Sequence, residues 1–303
     1  MNFLNLIRYK NLIFLGLTQF CIKYGFFNSI GIDLALSGFQ FALLVLATVS
    51  IAAAGNVIND IYDVDADKIN KPDKLLIGEK ISEKNAYRIF IILSVLGVFS
   101  GFLLSNTIDK AGFAALFIII SALLYMYASM IKGILLVGNI LISVLIAFSI
   151  LIVGVFDVLP AIEASNVDRQ IVAMKVITHY ACFAFFINLI REIVKDIQDI
   201  NGDKNDGLNT LPIEIGRNRA TIVVFVLGIL AVIAVISYMY LFLYSSQILV
   251  LYFLLLVVAP LLYYCVQAYS AQTSKELSRI SVMLKVVMFF GMGSIPLYYL
   301  VLP

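Results

Sequence analysis

The sequence predicts an all-α polytopic membrane protein whose chain crosses the bilayer about nine times. Hydrophobic residues make up 62% of its 303 residues and charged residues only 13%, and its mean hydropathy is +1.02. Because soluble domains carry about 25% charged residues, this chain cannot cover a water-facing surface. Its apolar residues are also grouped in runs of roughly 20, which is the length that one helix needs to cross a bilayer.

Nine such runs follow one another, and we expect each to form one transmembrane helix. They cover residues 12–32, 36–57, 86–105, 111–130, 134–157, 172–195, 220–243, 247–270 and 280–301. No polar stretch between them is long enough for a soluble domain, so we expect residues 1–303 to form a single domain in the lipid bilayer. The net charge of +2 is too small to indicate nucleic acid as a partner.

The distribution of lysine and arginine predicts the orientation of the helices. Cytoplasmic loops of membrane proteins carry an excess of these residues. Here they are concentrated at the N-terminus and after the second, fourth, sixth and eighth helices, whereas the other connections contain little beyond Lys110 and Arg169. We therefore expect the basic connections on the cytoplasmic side of the cell membrane. Those after the second and sixth helices are also long and polar, so we expect the functional residues there.

These two connections begin with related acidic motifs. Residues 60–67 read DIYDVDAD and residues 196–203 read DIQDINGD, so both follow the pattern D-I-x-D-[VI]-[DN]-[AG]-D. With the polar residues just upstream, the pseudo-repeat covers 56–67 and 192–203. A helix turns by about 100° per residue, which turns Asp65 away from the face that the other polar residues share. Those residues are Asn56, Asn59, Asp60, Asp63 and Asp67 in the first copy and, if the helix continues past Gly202, Glu192, Asp196, Asp199 and Asp203 in the second.

The number of carboxylates predicts a site for hard divalent cations. Acidic residues at a helix C-terminus oppose the helix dipole, so two such clusters are unfavourable as merely solvated helix ends. Mg²⁺ prefers octahedral oxygen coordination and often takes one or two carboxylates together with substrate phosphates. Two facing acidic walls would therefore suit metal ions that bridge a diphosphate. Nearby basic side chains would neutralise the remaining phosphate charge. Each of them, taken singly, can instead belong to the general excess of positive charge on the cytoplasmic side. They are Lys68, Lys71, Lys74, Arg191 and Lys195.

These motifs resemble those of the UbiA-type membrane prenyltransferase superfamily. The first resembles the family's NDxxDxxxD and the second its DxxxD, which would be Asp199 and Asp203. Three further stretches are similar: KINKPDKLLIGEKIS resembles DxxNRPxRP-x-G, YMYASMIKGILLVGN resembles YSxxLKxxxxxGN, and IRYKN, ending at Asn11, resembles RPxN. Lys71 and Lys74 stand where the family has arginine, which keeps the charge but loses the bidentate fork.

The resemblance implies a ring of nine helices around a central cavity. It also implies transfer of a polyprenyl group from its diphosphate to a lipophilic acceptor, with two Mg²⁺ ions at the acidic motifs. The residues of the motifs are most similar to those of geranylgeranylglyceryl phosphate geranylgeranyltransferases. The resemblance therefore implies transfer of a geranylgeranyl group to geranylgeranylglyceryl phosphate. A prenyltransferase of the same family that acts on aromatic quinone precursors is an alternative. A membrane transporter that binds a cation is an alternative of a different class.

The resemblance also implies roles for individual residues. The metal ligands would be Asn59, Asp63, Asp67, Asp199 and Asp203. The catalytic set would be the same four aspartates together with Asp60 and Asp196. The substrate-binding residues would be Asn11, Asn56, Asn59, Lys68, Lys71, Lys74, Tyr127, Lys132, Arg191 and Lys195.

Several other polar or aromatic residues have two interpretations. Tyr125 and Tyr127 are candidates to stabilise an allylic cation through their ring faces. His179, the only histidine, is expected to pack within its helix rather than to act as a base. Asn139 and Asn188 fit equally well as cavity-lining residues or as hydrogen-bonding partners between helices.

Overall fold

The computed structural model describes residues 2–301, apart from the side chain of Lys74. In that part of the chain, nine long helices account for most of the structure. They are α1 (Tyr9–Phe20, continued by a π-helical turn at Cys21–Phe27), α2 (Gly38–Tyr62), α3 (Glu83–Thr107), α4 (Ala111–Ile131), α5 (Val137–Ala161), α6 (Val167–Asn205), α7 (Arg217–Leu243), α8 (Gln247–Ser270) and α9 (Ser274–Leu300). Every helix predicted from an apolar run is therefore present.

Eight of these helices, α2 to α9, are long and apolar enough to cross a membrane. The protein is therefore an integral membrane protein. Helix α1 falls short of this criterion and carries three buried polar residues, Thr18, Gln19 and Lys23. The Thr18 hydroxyl donates to the Phe14 carbonyl at 2.8 Å. The Gln19 amide donates to the backbone carbonyl of Ser149 at 3.2 Å and accepts from the Thr48 hydroxyl at 3.0 Å.

A buried ion pair fastens α1 to α5 at the end opposite the acidic motifs. The Lys23 ammonium lies 2.6 Å from the Asp157 carboxylate and donates to the Leu36 carbonyl at 2.8 Å, and Asp157 also accepts from the Leu36 N–H. Breaking a buried pair by removing one partner typically costs about 3–5 kcal/mol. This pair therefore fixes the loop before α2 against the helix bundle.

Small residues allow close helix packing where α2 runs along α3. A Cβ atom at Gly97 would lie 2.6 Å from Ile51 and 3.0 Å from the carbonyl oxygen of Ala47. Small residues at membrane helix interfaces let the backbones approach closely. Helix α3 thus packs on the outside of α2, and every other long helix contributes residues to a central cavity.

The two acidic motifs differ in helical continuity. Helix α2 ends at Tyr62, the chain bends at Asp63, and a short helix at Val64–Asn70 follows. Helix α6 instead continues through the whole second motif to Asn205. At 1.5 Å per residue its 39 residues are about 58 Å long, so α6 is much longer than the predicted 172–195 segment and carries the second motif beyond it.

Candidate functional site

A central cavity of about 1500 Å³ runs between the helices. Apolar side chains such as Phe148, Phe183 and Val257 line one part of it, and the acidic motifs and their neighbouring cations line the other. This volume exceeds the roughly 300–1,000 Å³ of typical small-molecule pockets. The cavity therefore offers a charged end for head groups and an apolar chamber for long hydrocarbon chains.

Two aspartates of the first acidic motif, Asp60 and Asp63, form close ion pairs at the charged end. Asp63, at the bend after α2, accepts from the Lys132 ammonium at 2.5 Å and from the Asn59 amide at 2.6 Å. Asp60 lies 2.6 Å from the Arg8 guanidinium. Arg8 has a φ of 54°, a conformation that is unfavourable for a residue with a Cβ. The ion pair holds it in place between a short helix at Asn2–Leu6 and α1.

The second motif faces the first across the cavity. The Lys71 ammonium lies 2.6 Å from the Asp199 carboxylate and 3.8 Å from that of Asp67, so it stands between the motifs. The other oxygen of Asp199, Oδ1, is buried and has no hydrogen-bond partner among the described residues. Asp203 is only 4% exposed, and Asp196 accepts from the Asn139 amide at 2.7 Å.

Asn70 joins the two motifs directly, which the sequence did not indicate. Its amide donates to the Asp199 carbonyl at 2.8 Å and accepts from the Gly202 N–H at 2.9 Å. A Cβ atom at Gly202 would lie 2.3 Å from the Asn70 side chain and 2.6 Å from the Ala66 carbonyl oxygen. The absence of a side chain at Gly202 therefore allows the short helix after α2 to lie against α6.

Most of the predicted site residues lie together on the cavity wall. They are Asn11, Asn56, Asn59, Asp60, Asp63, Asp67, Lys71, Tyr127, Lys132, Arg191, Lys195, Asp196, Asp199 and Asp203. The predicted role of Lys74 falls on a side chain outside the described part of the structure.

Lys68 lies elsewhere, contrary to the sequence-based expectation. Its ammonium pairs with Asp65 at 2.6 Å, and the two side chains are 57% and 75% exposed. Residues three apart share a helix face, so the Lys68 side chain points away from the cavity together with that of Asp65. The Asp67 side chain points towards the cavity. The outward orientation predicted for Asp65 agrees with this arrangement.

The structure shows which of the residues with two interpretations line the cavity. Tyr127 lines the cavity, whereas Tyr125 packs against Tyr62 and Phe90 outside it. His179 packs against Tyr238 and Phe242, away from the large cavity. Asn139 binds Asp196, and Asn188 both lines the cavity and donates to the Ser143 hydroxyl at 3.2 Å.

Arg8 and Lys285 are cavity residues to which the sequence reasoning gave no functional role. Arg8 belongs to the basic N-terminus and to the IRYKN stretch, but it was assigned no role of its own. Lys285 is a lone cation within the last predicted span, and charged residues within membrane spans are rare and usually functional. This rule could have identified Lys285 from the sequence as a candidate functional residue.

Burial and neighbouring charges shift the pKa values of Asp67 and Lys132 at the charged end of the cavity. Burial raises the pKa of Asp67, with Lys71 opposing this and Asp63 adding to it. Burial lowers the pKa of Lys132, but the adjacent Asp63 carboxylate overcomes this effect and holds that pKa above its usual value. Five carboxylates, those of Asp63, Asp67, Asp196, Asp199 and Asp203, face only two lysines here, so this end of the cavity carries an excess of negative charge.

The donor set suits a magnesium ion that arrives with substrate. No three acidic side chains in the described residues form a ready-made metal cage. The unpartnered Asp199 oxygen and the buried Asp203 carboxylate nevertheless offer oxygen ligands on one wall, and Asp63 and Asp67 offer them on the other. Because Mg²⁺ usually combines one or two carboxylates with phosphate oxygens, such a divided set fits it once a diphosphate lies between the walls.

Comparisons with known proteins agree with this geometry. Residues 25–293 match the model of the UbiA prenyltransferase family. The digeranylgeranylglyceryl phosphate synthase of Methanococcoides burtonii is 30% identical over 282 residues, which cover 93% of this chain and 92% of that protein. A solved structure of a digeranylgeranylglyceryl phosphate synthase in membranes is 25% identical, with a TM-score of 0.62 over 98% of this chain and 97% of the other. A UbiA homolog from Archaeoglobus fulgidus bound to GPP and Mg²⁺ shares the fold, with 18% identity and a TM-score of 0.58 over 97% and 99% of the two chains.

Proposed function

Because this chain belongs to the UbiA prenyltransferase family, we propose that it transfers a geranylgeranyl group from its diphosphate to geranylgeranylglyceryl phosphate, with Mg²⁺ as cofactor. The observation that carries the proposal is the meeting of two acidic motifs at the charged end of one large apolar cavity. The name of the M. burtonii relative supports the substrate pair. The GPP and Mg²⁺ bound to the A. fulgidus homolog support an allylic diphosphate and this metal.

The proposed mechanism begins with binding of the diphosphate between the two motifs. Asn59, Asp63 and Asp67 on one wall and Asp199 and Asp203 on the other would hold the metal, which supplies positive charge to the leaving diphosphate. Lys71 and Lys132, now paired with Asp199 and Asp63, would turn to phosphate oxygens. Preorganised positive groups of this kind stabilise the charge that develops as the C–O bond breaks.

The apolar chamber then protects the allylic cation. Its walls exclude water, which would otherwise capture the cation, and Tyr127 offers a ring face that attracts positive charge. The acceptor's hydroxyl oxygen attacks the allylic carbon, and its proton passes to a nearby carboxylate or phosphate oxygen. We place the charged end at the cytoplasmic face, because the basic connections meet there.

Family membership decides between the two classes considered from the sequence. A prenyltransferase family is an enzyme family, so the transporter alternative is not supported. Within the family, an aromatic acceptor remains the competing substrate. The cavity favours a phosphorylated lipid, because it contains more cations than the diphosphate site uses.

The test is an assay of purified protein in lipid nanodiscs with labelled geranylgeranyl diphosphate and Mg²⁺. We expect a labelled product with geranylgeranylglyceryl phosphate and none with 4-hydroxybenzoate. EDTA should abolish both product formation and diphosphate release, and added Mg²⁺ should restore them. Transfer to 4-hydroxybenzoate alone would refute the proposed acceptor and support the aromatic alternative.

Acid pH is expected to weaken Mg²⁺ binding earlier than the pKa of an ordinary aspartate predicts. The raised pKa of Asp67 means that this carboxylate becomes protonated, and stops binding metal, at a higher pH than an exposed aspartate, whose pKa is about 3.9. Lys71→Gln removes a charge that lowers this pKa. We therefore expect it to move the acid limb of the Mg²⁺ dependence to a still higher pH.

The measurement is the Mg²⁺ concentration for half-maximal diphosphate release, taken across a pH series. Lys68→Gln is the matched control, because Lys68 pairs with the exposed Asp65 outside the cavity. An acid limb that is identical in wild type, Lys71→Gln and Lys68→Gln would show that Asp67 does not control metal binding.

A further inference from the structure

A second charged group lies on the cavity wall next to the acidic end, with which it shares Asp60. We call it the cationic cluster; it consists of Arg8, Arg191, Lys195 and Lys285 together with the carboxylates of Asp60 and Glu192. Its members come from four parts of the chain: the residue before α1, the end of α2, α6 and α9. No short sequence motif contains them, so only the packing of the helices creates the cluster.

The contacts within the cluster leave positive charge uncompensated. Glu192 accepts from Lys195 at 2.8 and 3.0 Å and from Arg191 at 3.1 Å, and Asp60 is occupied by Arg8. Lys285 forms no ion pair with any described residue, although it lies close enough to interact electrostatically with Arg191, Arg8 and Glu192. Four positive and two negative side chains therefore leave a surplus of two positive charges.

A surplus of this size is unfavourable within a membrane protein unless an anion balances it. A phosphate monoester carries about −1.5 to −2 charges near neutral pH and has three strong acceptor oxygens. The Arg191 Nε atom is buried and has no hydrogen-bond partner among the described residues. Guanidinium groups match phosphate geometry with two parallel hydrogen bonds, so this unused donor suits the same ligand.

The cluster adjoins the diphosphate site through Asp60 and Lys195, and Arg191 lies at its far side. Arg191 precedes Asp199 by eight residues in the continuous helix α6, which places their backbones about 12 Å apart along its axis. The two lysines that contact the metal-binding aspartates, Lys71 and Lys132, belong to other segments. One diphosphate held between the acidic motifs would therefore leave Arg191 and Lys285, which has no ion pair in the described part of the chain, free for another anion.

We propose that the cationic cluster binds the phosphate monoester of the lipid acceptor and so directs the acceptor's free hydroxyl towards the diphosphate. This inference rests on the proposed function, because it assigns a binding site to that acceptor. The acidic end and the cationic cluster then bind different substrates within one cavity. The acidic end takes the donor with its metal, and the cluster takes the acceptor without any metal.

The variants Lys285→Gln and Arg191→Gln test the proposal in steady-state kinetics. Losing one hydrogen bond to a charged group should raise the KM for geranylgeranylglyceryl phosphate by about 10- to 100-fold, with less than about a threefold change in the KM for geranylgeranyl diphosphate. Arg191→Lys should recover part of the loss, because it keeps the charge without the fork. Lys275→Gln is the control, because Lys275 is an exposed lysine on the same helix as Lys285 and lies outside the cavity.

An acceptor without its phosphate separates binding from damage to the fold. Geranylgeranylglycerol should be a poor acceptor for wild type and for Lys285→Gln to the same extent, because the group that Lys285 contacts is missing. An equal loss with both acceptors would overturn the proposal and indicate a structural defect. A rise in the KM for the diphosphate as large as that for the acceptor would also overturn it, and would assign the cluster to the donor.

Direct binding distinguishes this proposal from the proposed function. The Tm of wild type, measured without donor or Mg²⁺, should rise when geranylgeranylglyceryl phosphate is added, and the Tm of Lys285→Gln should rise much less. If wild type shows this shift but transfers no geranylgeranyl group to the lipid, the phosphate site stands and the proposed function fails. If transfer occurs while both proteins bind the lipid equally, the function stands and the phosphate site fails.

Discussion

The double variant Asp63→Asn with Asp199→Asn is expected to lose at least about a thousand-fold in the rate of diphosphate release. The two carboxylates lie on opposite walls of the charged end, and each is paired with a lysine, Lys132 and Lys71 respectively. Asparagine keeps the size of the side chain but removes the negative charge that attracts Mg²⁺. Removing one preorganised group at a developing charge already costs about 10²–10³-fold, and here both walls lose a proposed metal ligand.

The same double variant is expected to keep its affinity for the diphosphate in the absence of metal. Both lysines lose their carboxylate partners, so their charges become available to phosphate oxygens. Binding of geranylgeranyl diphosphate without Mg²⁺ should therefore be unchanged or tighter, while catalysis is lost. This separation distinguishes the loss of a metal site from general unfolding.

The matched control for this variant is Asp65→Asn. Asp65 belongs to the same motif, but its side chain is exposed and its partner Lys68 lies outside the cavity. We expect wild-type rates from Asp65→Asn. Diphosphate release at wild-type rates from the double variant would refute the assignment of the two motifs as the metal site.

Gly202→Ala is expected to reduce the rate of prenyl transfer by about a hundred-fold or more. In an isolated helix this change would favour folding by roughly 1 kcal/mol. Here the new Cβ would lie 2.3 Å from the Asn70 side chain and 2.6 Å from the Ala66 carbonyl oxygen, and overpacking typically costs about 1–3 kcal/mol. Because Ala66 contributes backbone, the short helix at Val64–Asn70 must move away from α6.

That movement would separate the two walls of the site. Asp67 belongs to the displaced helix and Lys71 follows it directly, and Lys71 is the residue that reaches Asp199. A misplacement of about 1 Å can cost a hundred-fold in rate. The measurement is the turnover rate of purified Gly202→Ala together with its Tm, so that a local displacement is distinguished from loss of the fold.

Gly16→Ala is the control for the glycine substitution. Gly16 also lies within a helix, but a Cβ there would meet only Val45 at 3.7 Å, which is an ordinary contact. We expect unchanged activity and an equal or slightly higher Tm. If Gly202→Ala were as active as Gly16→Ala, close contact between the short helix and α6 would not be needed for catalysis.

Much of the site was predictable because its chemistry is concentrated in short motifs. The acidic residues follow a spacing that places them on one helix face, and the structure brings both faces to one cavity. The position of Lys68 outside the cavity has a local cause: it is adjacent to Asp67 in sequence, but its side chain points about 100° away. Neighbouring position along the chain was therefore a poor guide to neighbouring position in space.

The sequence by itself determined the membrane location, the helices and the paired motifs. Those features depend on the length of apolar runs and on helical periodicity, which are local properties of the chain. The contact of Lys71 with Asp199, the bridge from Asn70 to Gly202 and the grouping of Arg8 with Lys285 required the tertiary structure. These residues are more than a hundred positions apart, and no local pattern specifies which helix faces meet. Packing of the helices decides that, because small residues, buried ion pairs and hydrogen bonds fix how closely each pair approaches.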